Sequence, residues 1–371
     1  MSATVFLLTP PFTQLNTPYP ATAYLKGFLN TKAISSFQAD LGIEVTLALF
    51  SKNGLSTMFE RAGAVTTLSA NAARIFSLRD GYINSINQVI SFLQGHNPTL
   101  APLIAARGFL PEAERFAQSD DLDWAFGSMG KQDLAKHLAT MYLEDLSDFI
   151  KEAVDPHFGF SRYAEKLGRS ASSFDDLYNA LQAPVTYIDE LLIEKLAVHM
   201  KTVSPTLVAI SVPFPGNLYS AFRSAQWIKA NYPSVKTAMG GGFPNTELRS
   251  VADSRVFSFF DFITLDDGEA PIETLLQYLN GQRTEDSLKR TFLLQEGAVQ
   301  YINNPAIPDY KQAATGTPDY SDLLLDKYIS AIEVVNPMHS LWSDGRWNKL
   351  TMAHGCYWGK CTFCDISLDY I

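Results

Sequence analysis

With 46% hydrophobic and 12% aromatic residues over 371 positions, the chain reads as globular, with apolar surface for at least one large core and two or three structural units. A net charge of −10 speaks against a broad phosphate-binding surface, so nucleic acid is not the expected partner. Met1 to Leu8 lack the basic region of a secretory signal, and no uninterrupted apolar stretch reaches the roughly 18 residues of a membrane span.

Val5 to Leu8 form a compact apolar run stopped by Thr9-Pro10-Pro11, which predicts a buried first strand feeding a loop. Pro20 stands where a helix starts, and Ala21, Tyr24, Leu25, Phe28 and Leu29 recur at helical spacing. Gly42 precedes Ile43 to Phe50, whose content of β-formers predicts a second strand and an opening β-α-β unit. From about Phe59 to about Thr202 long helical periods dominate, among them Ile83 to Leu93, Leu134 to Ala153 and Ile188 to Met200. This stretch reads as a helical insertion, in which the run Asp120 to Trp124 is expected to form solvated faces and core stripes.

After Pro205 the α/β pattern returns with a strand over Leu207 to Val212, a helix from about Leu218 to Asn231, and a strand over Val235 to Met239 capped by Gly240-Gly241-Gly242. A further helix, a strand over Phe260 to Leu265 ending at Asp266-Asp267-Gly268-Glu269, and a helix over Ala270 to Leu279 follow. Strands alternating with helices predict an α/β fold with a doubly wound, mostly parallel, Rossmann-like sheet. Residues 1–60 and 201–290 make this one domain, and residues 61–200 are the insertion. Thr291 to Ile302 predicts a hairpin turning at Glu296-Gly297, which with residues to about 345 forms a hairpin and linker. Lys349 to Ala353 then predicts the first strand of another domain, 346–371, which has barely begun when the chain stops.

The chain has three cysteines, Cys356, Cys361 and Cys364, at C-x4-C-x2-C spacing. Thiolates so close in sequence can converge on one metal centre, and their clustering suits a reducing cytoplasm. Ligand count separates the readings. A plant-type two-iron cluster needs a fourth cysteine, which is absent. A structural zinc ion could take His354 as fourth ligand, although such motifs usually pair ligands from two knuckles and His354 lies on the predicted strand. Inert buried cysteines fit poorly with a loop rich in Gly and Lys. The remaining reading is a four-iron cluster on three thiolates, with one iron open.

The segment Gly355 to Cys364, with Phe363 before the last cysteine, resembles the cluster loop of radical S-adenosylmethionine proteins that carry an N-terminal cobalamin-binding domain. Its spacing is one residue longer than their commonest C-x3-C-x2-C, a length that resembles a subgroup of the same family. Upstream, Thr9, Pro10 and Pro11 with the helix from Pro20 to Leu29 are similar to the family's opening, and Ser211-Val212, Gly240-Gly241-Gly242 and Asp267-Gly268-Glu269 resemble its later strand-end loops. The resemblance implies that Cys356, Cys361 and Cys364 ligate a [4Fe-4S] cluster whose open iron chelates S-adenosylmethionine, and that reductive cleavage gives a 5′-deoxyadenosyl radical. It also implies an electron donor such as flavodoxin or ferredoxin, and a small-molecule or macromolecular substrate.

Cobalamin is the further cofactor that the resemblance implies, against loops lying where doubly wound sheets hold ligands and where glycine permits close approach. A turn at positive φ explains the same glycines equally well. The cobalt-ligating pattern Asp-x-His-x-x-Gly is absent after the first strand, and Asp155-Pro156-His157-Phe158-Gly159 is one residue short of it and falls in the insertion. Cobalamin would therefore bind without a histidine lower ligand, or the domain keeps the fold without the cofactor. The expected whole is a cytoplasmic radical S-adenosylmethionine enzyme of which this chain is the N-terminal part, inactive alone because a β/α barrel needs about 200 further residues. The rival from another class is a non-catalytic α/β binding or interaction module, with the insertion as docking surface and zinc on the cysteines.

Overall fold

A computed structural model describes residues 4–118, 130–160, 163–169 and 173–331. The cysteine loop, His354, the predicted strand Lys349 to Ala353 and the run Asp120 to Trp124 lie outside the described residues. The predicted first strand is β1, Val5–Thr9, buried along its whole length, and the helix behind Pro20 is α1, Ala21–Thr31. Then sequence and structure part. The strand beside β1 is β2, Ser36–Asp40, parallel to it with Val5 opposite Ser36 and Thr9 opposite Asp40.

Of Ile43 to Phe50, predicted as that strand, all but Phe50 lie instead in a helix, α2, Leu41–Leu49, and Phe50 caps its end. Asp40 supplies the helix start, its carboxylate accepting the Gly42 N–H at 2.9 Å and the Ile43 N–H at 3.4 Å. Leu41, Ile43, Val45 and Leu49 are buried between the sheet and the insertion, and such packing overrides a β preference worth less than about 1 kcal/mol per residue.

Between β2 and β3 all described regular elements are helical: α3 (Lys52–Ala62), α4 (Ala70–Ser77), α5 (Arg79–Leu93), α6 (Ala101–Ala105), α7 (Lys131–Ala153), α8 (Glu165–Arg169), α9 (Asp175–Gln182) and α10 (Tyr187–Val203), with short 3-10 turns. The α/β alternation resumes with β3 (Leu207–Ser211), α11 (Leu218–Asn231), β4 (Lys236–Gly240), α12 (Gly242–Glu247), β5 (Phe262–Thr264) and α13 (Glu269–Leu279). The hairpin is β6 (Thr291–Gln295) and β7 (Ala298–Ile302), turned by Glu296 at φ 49° and Gly297 at φ 81°, as a two-residue hairpin loop requires. Its strands complete a seven-stranded sheet of order β2-β1-β3-β4-β5-β6-β7, parallel from β2 to β5 and antiparallel beyond.

The alternation of each strand divides the core into two faces. Val5, Leu7, Leu207, Ala238 and Phe262 face α1 and α13. Phe6, Leu8, Val208, Ile210 and Met239 face α2, α11 and the insertion.

Residues 303–331, predicted as linker, form an ordered strap. Lys289 donates to the Ile307 carbonyl at 2.8 Å, Lys32 donates to the Tyr310 hydroxyl at 2.7 Å, and the Asp319 N–H donates to the Ala23 carbonyl at 2.9 Å. Lys26 pairs with Asp322, whose carboxylate also accepts the Gln38 N–H at 3.1 Å. Where the strap crosses α1, a Cβ on Gly27 would stand 2.1 Å from the Thr317 carbonyl oxygen, so only glycine permits the crossing. The strap ends with Tyr328 donating to Asp40 at 2.7 Å, and with the N–H groups of Ile329 and Ser330 bonded to the carbonyls of Leu15 and Leu93. Among the described residues no helix is long and apolar enough to cross a membrane.

Candidate functional site

The C-terminal ends of β3, β4 and β5 open on a cavity of about 280 Å³, walled by the starts of α1 and α13. Its origin is a size pattern in two strands. In Leu207–Ser211 and Lys236–Gly240 the residues directed at α1 and α13 shrink toward the strand ends, to Ala209 and Ser211 and to Ala238 and Gly240. On the opposite face the same strands present Ile210 and Met239. Tyr19, Thr22 and Leu25 form one wall, and Gly268, Glu269 and Ile272 the other.

Two hydroxyls in this lining, Thr22 at 1% exposure and Ser211 at 6%, have no hydrogen-bond partner among the described residues. Leaving such a group buried and unpaired costs about 1–3 kcal/mol, which a bound acceptor or donor removes. Asp266, Asp267 and Glu269 bring three carboxylates to the lining, and behind them the Arg290 guanidinium donates to the Asp267 carbonyl at 3.1 Å. Asp266 adopts φ 63° and is held by ion pairing to Arg249 and by the Asn245 side chain, which accepts the Asp266 N–H at 2.6 Å. Beside the cavity, Tyr19 meets the half-exposed Phe214 edge to face at 5.7 Å, and burial raises the Tyr19 phenol above its ordinary range.

Of the strand-end residues expected at a cofactor site, Ser211, Gly240, Gly241, Asp267, Gly268 and Glu269 come together around this cavity. Thr9, Pro10, Pro11, Val212 and Gly242 are not among the lining residues. Pro10 accepts a hydrogen bond from Asn217 at 2.8 Å, which ties the β1 loop to the β3 loop. Val212 accepts from the Phe243 N–H at 3.0 Å, and a Cβ on Gly242 would stand 2.7 Å from the Pro213 carbonyl oxygen. Gly241 has φ 106°, and a Cβ there would meet the Val212 carbonyl oxygen at 2.8 Å. The turn and the close crossing of two protein loops thus account for Gly241 and Gly242 without a ligand.

Sequence reasoning missed Tyr19, Thr22, Asp266 and Thr264. The shrinking of residues on one face of β3 and β4 was a usable signal for the cavity floor, but Thr22 reaches it through the docking of α1. The near-match at Asp155 is structural: its buried carboxylate accepts the His157 N–H at 2.9 Å and the Tyr163 hydroxyl at 2.8 Å, closing the turn after α7 while His157 is exposed. Among the described residues no group of three or more His, Cys, Asp or Glu is arranged to hold a metal ion, and Cys356, Cys361 and Cys364 lie outside that set.

The geometry defines a class, an α/β protein with a mostly parallel, Rossmann-like sheet and a cavity at its carboxyl edge. No protein-family model, no curated protein and no solved structure matches the chain.

Proposed function

We propose that this chain carries the cofactor domain and the cluster loop of a radical S-adenosylmethionine enzyme, with cobalamin held at the carboxyl edge of the sheet. The carrying observation is the cavity itself: it lies where doubly wound sheets hold ligands, and its lining includes two buried hydroxyls with no partner among the described residues. At about 280 Å³ it falls just below the roughly 300–1,000 Å³ of pockets that enclose a whole drug-sized ligand. It therefore suits an arm of a larger molecule, the nucleotide arm of cobalamin, with the macrocycle over the strand ends.

For the cluster, support comes from the donor set alone: Cys356, Cys361 and Cys364 supply three thiolates, which leaves one iron of four for the amine and carboxylate of S-adenosylmethionine. When bound, the cluster supplies the electron that breaks a sulfur–carbon bond of S-adenosylmethionine to give methionine and a 5′-deoxyadenosyl radical. The chain's own part is to hold the iron through its thiolates, and to seat the arm of the second cofactor against Ser211 and Thr22.

Anaerobic reconstitution with iron and sulfide tests the first half. About four irons and four sulfides per chain, lost on replacing any one of the three cysteines with serine, are expected. One zinc without sulfide would establish the non-catalytic, zinc-bearing module instead. Titration with hydroxocobalamin tests the second half: saturable binding that Ala209→Leu abolishes is expected, and the absence of binding would leave a scaffold without that cofactor.

A further inference from the structure

The sheet has two edges, and the chain treats them differently. At β2 the strap covers the edge: the Gln38 N–H bonds Asp322 at 3.1 Å, and the Gln38 side-chain amide donates to the Asp319 carbonyl. At β7 no described strand pairs with the outside of Ala298–Ile302, and the Asn304 N–H bonds the Leu288 carbonyl at 3.0 Å, which turns the chain back past the start of β6. The tight turn makes Gln295–Ala298 a hydrogen-bonded pair. Leu293–Gln300 and Thr291–Ile302 are then the next such pairs, so Val299 and Tyr301 direct their N–H and C=O groups away from β6. Such an edge is a template for another strand, and exposed edges are usually guarded by charge, proline or a bulge. This one has none of these: residues 297–304 hold no Lys, Arg, Asp, Glu or Pro, and the register with β6 runs without a break. In a chain of net charge −10, an uncharged strand is where two copies meet with least local repulsion. One face of it is also apolar, with Leu294 at 41% and Tyr301 at 45% exposure and the Tyr301 ring 4.6 Å from that of Phe292.

We infer that β7 is a dimerisation edge, pairing antiparallel with β7 of a second copy of this chain about a two-fold axis at Gln300, so that the two sheets become one. The register follows from the outward groups. Val299 lies opposite the partner's Tyr301, and Tyr301 opposite the partner's Val299, so each outward N–H meets an outward carbonyl. The side chains agree with it, because a β-branched residue facing an aromatic one is a favourable cross-strand pair. Glu296 falls opposite the partner's Asn304, which leaves no like charges opposed across the join. A strand that complements itself in this way selects its own copy. With β2 covered by the strap, the join also consumes the bare edge, and growth stops at two.

Sedimentation velocity of the full chain tests this, run in reductant so that its three cysteines form no cross-link. Between about 1 μM and about 100 μM a monomer–dimer equilibrium is expected. Val299→Pro removes an outward donor that the β6–β7 ladder does not use, so it should leave the melting curve unchanged and weaken the dimer about tenfold or more. Where proline does alter melting, Gln300→Lys replaces it. That variant opposes two lysines on the axis and should weaken the dimer about threefold to fivefold, and an equimolar mixture with Gln300→Glu should restore it. A monomer at every concentration overturns the inference, whether β7 stays bare or another part of the same chain covers it. A dimer that both Val299→Pro and Gln300→Lys leave intact overturns it too, because the contact then lies on another surface. Weakening by Gln300→Lys without recovery in the mixture overturns the two-fold pairing at Gln300.

Discussion

The two faces of the sheet are built by opposite rules. On the face toward the insertion, large side chains interlock: Phe12 meets Tyr163 at 5.6 Å, Tyr163 meets Tyr219 at 5.6 Å, and Phe222 meets Phe260 at 5.1 Å, all edge to face. An ion pair is sealed into that packing, Arg223 to Asp189 at 3.0 Å, with the Tyr219 hydroxyl donating to the same carboxylate at 2.8 Å. On the face toward α1 and α13 the central strands end in alanine, serine and glycine, and the strap crosses the outside of α1. A face saturated by its own side chains holds an insertion in place. A face of small residues leaves room for something else.

The comparison breaks most visibly at the ion pair. Burial raises the Asp189 carboxyl while Arg223 pulls it down, so each group depends on the other. Asp189→Ala strands a buried guanidinium and should cost about 3–5 kcal/mol, read as a lower urea midpoint at an unchanged m-value.

The next effect lies where the strap meets the insertion side. Burial pushes the Asp40 carboxyl up to about 6, against the opposing pull of the Tyr328 hydroxyl and the Ile43 and Gly42 N–H groups. Because the folded value stands above the unfolded one, the folded state holds the proton longer. Stability from this group is fully present below the unfolded value near 4 and is lost as pH rises through 6, on the order of 2–3 kcal/mol. Melting temperatures from pH 4 to 7 should fall more steeply for the native chain than for Asp40→Asn. Asp145, also pushed up to about 6 by burial, contributes equally to both curves, so their difference isolates Asp40.

Gly27→Ala places a Cβ against the Thr317 carbonyl and should cost about 1–3 kcal/mol, with faster proteolysis inside 303–331. Unchanged cleavage would show that the strap yields without leaving α1. The smallest effect sharpens the comparison most. Ala225→Leu overpacks the filled face and should cost about 1–3 kcal/mol, whereas Ala209→Leu projects into the cavity and should change stability by less than about 1 kcal/mol. Equal costs in thermal unfolding would erase the distinction between the faces.

Local signals made much of this legible. The apolar run before Thr9-Pro10-Pro11, the helical spacing after Pro20 and the alternation from Leu207 to Leu279 are short-range patterns, and the structure returns them as β1, α1 and the β3 to α13 succession. Glu296-Gly297 marks its hairpin through backbone requirements of the two residues themselves. The cavity floor was written in β3 and β4 as a gradient of side-chain size along one face. Tertiary structure decided the rest because the decisive partners are remote in sequence. Ile43 to Leu49 is helical because Asp40 caps it and the insertion buries it, against its strand-like composition. Residues 303–331 have no periodicity to read because the backbone bonds they make among themselves are isolated turns, while the bonds that fix their path go to Leu288, Ala23, Leu15 and Leu93, and only a folded chain brings those groups within reach.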